Sequence, residues 1–313
     1  MKRIMLLVLV LAMLGPGMAA EKQKVIFDCD LGDDIDDAFA LALLIASPEL
    51  DVLGIVLDYG NTPERAKIAC RMLYETGRED IPVVVGRETK EHYSTQFNWG
   101  KGFDKVKPVD TPAADFIISN LKKYPNEVVL ITVGPVPNML DILKKDKEAL
   151  KLAKQVFSMY GSFYMGYDTG PLPSAEWNVR ADEEAAKAFS SCGAKITYAG
   201  LDITTYVKWD EDRRLKLLMR QSPLTNAICS LYTLWDLGVQ WDTPTLFDCV
   251  AVGMVIWPDL FSTRPAHVRV IDGGYTVIDE SRDPNCEIGL SINTEAFLNR
   301  LMERYLTQNL MRK

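Results

Sequence analysis

Short apolar runs alternate with segments of helical periodicity along most of the chain. The apolar runs predict β-strands near residues 25–27, 52–57, 83–85, 128–132, 155–159 and 195–199. The intervening segments predict helices, two of which open with a Thr-Pro pair, at 38–46, from 62, from 111 and at 181–190. Repeated strand–helix units of this kind are typical of an α/β domain, with a mostly parallel central sheet flanked by helices.

The last third of the chain has a different pattern. Residues 210–257 are mainly helical in periodicity, and residues 294–309 predict a closing helix. Two short apolar segments on either side of Asp272-Gly273-Gly274 predict a β-hairpin over 268–278. No repeat or linker divides residues 21–313, so we expect one domain. In open parallel sheets ligands bind beyond the carboxyl ends of the strands, and the residues that follow each strand are therefore the candidates for function.

The first twenty residues have the order of a secretory signal peptide. Lys2 and Arg3 precede an apolar run over 4–14, Gly15-Pro16 interrupts it, and small residues lead to Ala20. This run is too short to span a bilayer, and no later stretch of the sequence is long enough. A buried N-terminal helix is the alternative. We therefore expect residues 1–20 to be removed and the protein to be exported, periplasmic or secreted, without a membrane partner.

The chain is acidic, and much of its acid follows the first predicted strand. The formal net charge is −8 at pH 7, which argues against a nucleic-acid partner because phosphates would be repelled. Six aspartates fall within residues 28–37: Asp28, Asp30, Asp33, Asp34, Asp36 and Asp37. Helix capping and a solvated acidic loop explain one or two of them. A hard divalent cation such as Ca²⁺, which gathers carboxylate and carbonyl oxygens, explains the crowding better.

The run DCDLGDDIDDA resembles the signature of the nucleoside hydrolases, in which an Asp-x-Asp and a Gly precede an Asp pair that opens a helix. Two additional residues follow Gly32 here, so the pair is either Asp33-Asp34 or Asp36-Asp37, and we choose the latter because the helix follows directly. Similar motifs continue in the family's order at Tyr59-Gly60-Asn61, 132–138, Glu176-Trp177-Asn178 and 247–252. The resemblance extends from about residue 24 to near the C-terminus.

This resemblance implies a Rossmann-like fold and a metal-assisted cleavage of the N-ribosidic bond. Asp30, Asp37, Asp248 and the main-chain carbonyl of Val133 would hold Ca²⁺, and Asp30 would also act as the general base toward water. Such a cleavage passes through a ribosyl cation-like transition state, which surrounding carboxylates stabilise. Asp28 would support the site from behind.

The resemblance also implies how a ribonucleoside substrate would be bound. Asp36 and Asn178 would bind the ribose 2′- and 3′-hydroxyls, Glu176 would reach the 5′-hydroxyl, and Asn61 would lie at the edge of the site. Relatives are usually dimers or tetramers, so a homodimer or homotetramer is expected. Structural interpretations stay open: capping for Asn61 and Asp248, surface positions for Glu176 and Asn178, and a plain strand end for Val133.

The chain departs from the family where the leaving base would be protonated. Many relatives place a His just before the late metal-binding Asp, but this chain has Phe247 there. A second family His is replaced by the stretch Phe97-Asn98-Trp99-Gly100, and His92 nearby does not align. Relatives selective for purines have aromatic residues at these points. We therefore predict that Trp99, in a Gly-flanked polar loop, and Phe247 clamp a purine base, with core packing as the alternative for Phe247.

Two functions of other classes compete with this hydrolase. VIFDCD is also similar to the nucleophile strand of haloacid-dehalogenase-type phosphatases, although Leu31-Gly32 replaces their usual Gly-Thr and the later Asp pair would have no use. An exported nucleoside-binding protein without catalysis would keep the ribose site. The presence of Asp30, the expected base, argues against that third interpretation.

Overall fold

The computed structural model describes residues 21–90, 93–239 and 243–312, so the predicted signal peptide 1–20 and His92 lie outside the described residues. The strands of the described ranges are β1 (Gln23–Cys29), β2 (Leu50–Leu57), β3 (Val83–Val85), β4 (Val129–Thr132), β5 (Gln155–Met159), β6 (Ile196–Ala199), β7 (Phe261–Ala266), β8 (Val268–Ile271), β9 (Tyr275–Ile278) and β10 (Cys286–Ile292). The helices are α1 (Asp36–Ile45), α2 (Thr62–Thr76), α3 (Phe97–Gly100), α4 (Ala113–Lys123), α5 (Pro137–Lys145), α6 (Trp177–Ala181), α7 (Glu183–Ser190), α8 (Leu201–Thr204), α9 (Glu211–Arg220), α10 (Pro223–Val239), α11 (Phe247–Ile256) and α12 (Thr294–Thr307).

Eight strands form one sheet in the order β3-β2-β1-β4-β5-β6-β10-β7. All neighbouring pairs are parallel except β10 and β7, which are antiparallel. Strands β8 and β9 pair separately as the predicted hairpin. The predicted fold class, a mostly parallel sheet flanked by helices, is confirmed. No helix of the described ranges has both the length and the apolar character needed to cross a membrane.

Strand β1 is central, and its side chains alternate between two hydrophobic cores. Val25, Phe27 and Cys29 face the larger core with α1, α2, α10, α11 and α12, whereas Ile26 faces the smaller core with α4, α5 and α7. Helix α1 is buried over its whole length. Its apolar residues are stabilised by that burial, and its first turn carries two aspartates into the interior with them.

The antiparallel edge of the sheet was not predicted. Strand β7 contains Pro265 and exposed polar residues, so it lacks the apolar run by which the other strands are recognised. Proline removes a ladder donor and is tolerated at an edge. β10 inserts between β6 and β7, and its apolar residues only alternate with polar residues or glycine, without forming a continuous run.

Candidate active site

The segments that follow β1, β4 and β5 border a cavity of about 770 Å³ at the carboxyl edge of the sheet. The wall of this cavity includes eight of the residues predicted from sequence: Asp30, Asp36, Asp37, Val133, Glu176, Asn178, Phe247 and Asp248. These residues come from chain segments far apart in sequence. The parallel topology places them together because every parallel strand delivers its carboxyl end to the same edge.

Three carboxylates form a compact cluster within the cavity. Asp36 and Asp37 open α1, which begins at this pair and not at Asp33-Asp34, and Asp248 lies in the first turn of α11. One ligand oxygen from each lies within 4.8 Å of the other two, and all three side chains are buried. Burial, together with the neighbouring carboxylates, raises the pKa of the Asp37 and Asp248 carboxyls well above the ordinary range.

The chemistry of this cluster fits a hard metal ion. All its donors are carboxylate oxygens, the ligands preferred by Ca²⁺ and Mg²⁺. The Asp37 Oδ1 atom is buried and has no hydrogen-bond partner among the described residues, so a cation would satisfy it and offset the repulsion. Asp30, a predicted metal ligand, lines the same cavity but is not part of this cluster. Asp36, predicted to bind ribose, is one of the three clustered carboxylates.

Backbone contacts hold the cluster in place. Asp36 Oδ1 accepts a hydrogen bond from the Asp37 N–H (3.1 Å), and Asp36 Oδ2 accepts one from the Asp248 N–H (3.2 Å). The Asp36 side chain therefore ties the start of α1 to the start of α11. These two helices also pack against each other, so the spacing of the carboxylates is set by core packing.

Glu176 and Asn178 also line the cavity, at the start of α6. Glu176 caps this helix, accepting from the N–H groups of Asn178 (2.9 Å) and Val179 (3.2 Å), and it also accepts from the Gly161 N–H (3.1 Å). The Asn178 side-chain amide donates to the Val133 carbonyl (2.9 Å) and the Met159 carbonyl (3.1 Å). Both side chains are buried, so the surface interpretation of Glu176 and Asn178 is wrong.

Arg65 lies behind the Asp-rich loop and was not singled out from the sequence. Its buried guanidinium donates from Nε to the Tyr59 carbonyl (2.8 Å) and from Nη1 to the carbonyls of Leu31 (3.1 Å) and Asp30. Its Nη2 lies 4.0 Å from Asp30 Oδ2 and 3.8 Å from Asp33 Oδ2. The arginine therefore fixes the loop backbone and offsets part of its charge. Its position on the otherwise apolar inner face of α2 was the available signal.

Asp58, directly after β2, is a second residue that the sequence did not single out. Its Oδ2 accepts from the Val136 N–H (3.1 Å), and its carboxyl is hydrogen-bonded to that of Asp28. Burial and the Asp28 charge raise the pKa of Asp58, and burial raises the pKa of Asp28 to about 6. Asp28 also accepts from the Asn138 amide (2.7 Å). The pair joins the loops after β1, β2 and β4 behind the cavity.

The remaining wall of the cavity is largely apolar and aromatic. It is formed by Tyr167, Trp235, Val239, Pro244 and Phe247. The rings of Tyr167 and Phe247 meet edge to face with centroids 6.0 Å apart, and the Tyr167 hydroxyl accepts from the Trp177 N–H (2.8 Å). Beside this wall, Lys208 Nζ lies 2.9 Å from Asp168 Oδ1. A flat heteroaromatic group fits such a wall, whereas a polyhydroxylated sugar fits the acidic end.

Residues 25–299 match the sequence model described as inosine-uridine preferring nucleoside hydrolase. The chain belongs to this family. Its members are nucleoside hydrolases, enzymes that act on N-glycosyl compounds. This membership decides against the phosphatase alternative.

Individual relatives are similar to this protein in sequence or structure over most of the chain. Uridine nucleosidase 1 of Arabidopsis thaliana is 30% identical over 82% of this chain and 82% of its own length. The pyrimidine-specific ribonucleoside hydrolase RihA of Citrobacter koseri is 28% identical, over 90% and 97%. Among solved structures, the plant nucleoside hydrolase PpNRh1 superimposes with a TM-score of 0.81 at 28% identity, covering 91% of this chain and 99% of that one.

Two predicted site residues of this nucleoside hydrolase lie outside the cavity wall. Asn61 caps α2, where its side chain accepts from the Glu64 N–H (3.3 Å). The structure therefore supports helix capping as the role of Asn61, which is not among the described residues that line the cavity.

The prediction that Trp99 lies in a polar loop is wrong, and Trp99 is not among the residues that line the cavity. Residues Phe97–Gly100 form the one-turn helix α3, which packs on α2, and Trp99 is only 8% exposed. The Arg71 guanidinium lies 4.4 Å from the Trp99 ring centroid. Gly100 allows the close approach, since a Cβ there would lie 3.1 Å from the Ile68 backbone nitrogen. Burial of both aromatic side chains outweighs the polar character of the surrounding sequence.

Proposed function

We propose that this nucleoside hydrolase cleaves the N-glycosidic bond of ribonucleosides to give ribose and the free base, and that it depends on Ca²⁺. The observation that carries this proposal is a cavity whose wall contains the cluster of Asp36, Asp37 and Asp248 together with Glu176 and Asn178. The acidic end suits a metal ion and a diol, and the aromatic end suits a base. Asp30 lines this same cavity, which argues against a binding protein without catalysis.

Each residue then has a defined task. Asp37 and Asp248, with Asp30 and the Val133 carbonyl, would hold the cation, which supplies positive charge that positions a water molecule and eases loss of its proton. Asp30 accepts that proton. Asp36 and Asn178 bind the ribose hydroxyls, and the carboxylates around the ring stabilise the positive charge that develops on the sugar.

For the base, uridine is the substrate we propose first. The relatives from Arabidopsis thaliana and Citrobacter koseri are named for uridine and pyrimidine ribonucleosides. The purine preference expected from sequence rested on Trp99 and Phe247, and only Phe247 lines the cavity. Purine ribonucleosides stay the second candidate because Phe247, Tyr167 and Trp235 still offer a broad aromatic wall.

A substrate panel tests both parts of the proposal. Free ribose is measured with uridine, cytidine, inosine and adenosine, each with added Ca²⁺ and with a chelator. We expect release from uridine to be fastest and to stop on chelation. Tight binding of a nucleoside without ribose release would instead establish the non-catalytic alternative, and undiminished release in chelator would overturn the calcium dependence.

We also propose that the protein is exported and assembles as a homodimer or homotetramer. Export is supported by the order of charged, apolar and small residues over 1–20. Oligomerisation is carried over from the family resemblance, and sedimentation velocity of the purified protein measures it.

A further inference from the structure

The cavity is strongly asymmetric in charge. Its described lining residues include eight acidic side chains but two positive ones, Arg180 and Lys208; the acidic residues are Asp30, Asp33, Asp34, Asp36, Asp37, Asp168, Glu176 and Asp248. His267 lies on the β8–β9 hairpin, hydrogen-bonded to the Asp283 carbonyl and away from this wall, and His92 is outside the described residues. The described wall therefore provides no imidazole to protonate a departing base.

The two cations belong to different parts of the wall. Arg180 lies one turn beyond Glu176 on α6, with its guanidinium 5.4 Å from the Trp177 ring centroid. Lys208 instead belongs to the segment that precedes α9 and forms an antiparallel bridge with Thr245, two residues before Phe247. Backbone bonds from the Trp209 N–H to Pro244 (2.9 Å) and from the Leu246 N–H to Val207 (2.8 Å) fix this pairing. Lys208 is thus part of the aromatic end, where the base fits.

Tyr167 is a hydroxyl at that end that could serve as a proton donor, but it is a poor acid. Burial and the nearby Glu176 carboxylate raise the pKa of its hydroxyl. Its oxygen already accepts the Trp177 N–H (2.8 Å). A neutral hydroxyl held in this way can donate a hydrogen bond, but it does not readily give up its proton. The negative charge that develops on the departing base therefore needs to be stabilised by another group.

We propose that the Lys208 ammonium stabilises the departing base as an anion, in place of a proton donor; this inference rests on the proposed ribonucleoside hydrolysis. The bond between C1′ and the base nitrogen breaks, and its electron pair stays on the base, where the carbonyl oxygens share the charge. Water adds its oxygen to C1′ and gives a proton to Asp30. The base anion leaves hydrogen-bonded to Lys208 and takes a proton from solvent, while Asp30 returns its proton to solvent. The sum is ribonucleoside plus water to ribose plus base.

Asp168 orients this lysine without burying it. The side chains of Lys208 and Asp168 are 41% and 85% exposed in the ion pair. Such an exposed pair contributes little to stability, roughly 0–1 kcal/mol, so its main effect is to restrict the lysine. The competing explanation is a latch, in which the pair only fastens the turn that contains Tyr167. The two roles differ in their dependence on the leaving group.

The test compares uridine with p-nitrophenyl β-D-ribofuranoside, whose leaving group is a much weaker base and needs little stabilisation. For Lys208→Met we expect kcat with uridine to fall about 10²-fold, the usual order for losing one donor to a developing charge. With the p-nitrophenyl substrate the same variant should stay within about 3-fold of wild type. Lys208→Arg should recover part of the uridine activity because it restores the positive charge.

Two further variants separate the alternatives. Asp168→Asn breaks the same ion pair and leaves the lysine unrestrained, so it should lower the uridine activity by less than Lys208→Met does and leave the p-nitrophenyl substrate near wild type. Lys187→Met is the matched control, since Lys187 forms an exposed pair with Asp272 outside the cavity wall, and it should match wild type.

Equal losses on both substrates for Lys208→Met, reproduced by Asp168→Asn, would establish the latch and overturn our inference. Full uridine activity in Lys208→Met would also overturn it. Failure of the proposed function looks different, because wild type itself would release no ribose from any ribonucleoside.

Discussion

At the scale of single residues, Asp37 combines burial, an unpartnered oxygen and two neighbouring carboxylates. Asp37→Asn keeps the volume but removes one negative ligand, so we predict weaker Ca²⁺ binding and a loss of kcat/KM of about 10²–10³-fold or more. Calcium affinity is measured by titration calorimetry on the metal-free protein, and activity by ribose release. Asp51→Asn, an exposed aspartate on β2, is the control and should match wild type. Wild-type calcium affinity in Asp37→Asn would place the metal elsewhere.

The sugar specificity depends on Asp36 and Asn178. Both side chains are buried, and polar groups built to receive a hydroxyl reject substrates that lack it by up to about 10⁴–10⁵-fold. We predict that 2′-deoxyuridine is a far poorer substrate than uridine on the wild-type enzyme. The comparison needs only kcat/KM for the two nucleosides at saturating Ca²⁺. Similar values would mean that the 2′-hydroxyl is not recognised by these residues.

The sequence revealed the acidic residues better than the basic ones. Six aspartates crowded after one strand are visible as a pattern because repulsion demands a partner. Arg65 gives a weaker signal, a single cation on the apolar face of a helix, and Lys208 is an isolated cation in a loop. Only the fold shows that Arg65 reaches the carbonyls of Asp30 and Leu31, and that Lys208 lies beside the wall that contains Phe247.

At the scale of elements, α3 shows how packing overrides local sequence. Phe97 and Trp99 are separated by Asn98 and followed by a glycine, which suggested a loop. In the structure the two aromatic side chains are buried while Asn98 stays exposed, because α3 packs against both α2 and α10. The strands were easier to predict, since β1 to β6 are apolar runs buried on both faces. The edge strand β7 has no such run.

The position of α3 leads to a prediction about Trp99. Trp99→Ala should destabilise the protein by about 3–5 kcal/mol, as expected for removing a buried aromatic side chain. It should leave the ratio of kcat/KM for inosine and uridine unchanged. Phe247→Ala, which removes a ring from the cavity wall, should change that ratio. Urea denaturation measures the first effect and paired kinetics the second. A changed ratio in Trp99→Ala would return this residue to the base site.

At the scale of the whole molecule, the parallel topology explains why distant motifs converge. Asp30, Val133 and Met159 follow or end three neighbouring strands, and the sheet order β1-β4-β5 places them side by side. Asp248 comes from α11, which packs on α1 through the larger core. The sheet could be predicted from the sequence because burial of both its faces requires continuous apolar runs. Distances within the cavity could not be predicted, because they depend on how the helices pack.

The proposed export also concerns the whole chain. The order of residues 1–20 predicts cleavage after Ala20, and β1, a central strand, begins at Gln23. The start of this strand is already anchored, by the Gln23 N–H bond to the Glu49 carbonyl (2.9 Å) and by the Lys24–Glu127 ion pair (2.8 Å). Removal of residues 1–20 therefore leaves the contacts that hold the sheet together.

We predict that the full chain, expressed in a bacterium with a general secretory pathway, accumulates in the periplasmic fraction with Glu21 as its first residue. Intact-mass spectrometry identifies that terminus, and the Tm should equal that of a chain produced from residue 21 onward. Val8→Arg is the control, because a charge within the apolar run blocks recognition as a signal peptide and should leave the chain uncleaved in the cytoplasm. Recovery of the unaltered chain in the cytoplasm with residues 1–20 intact would mean that this segment is part of the folded protein.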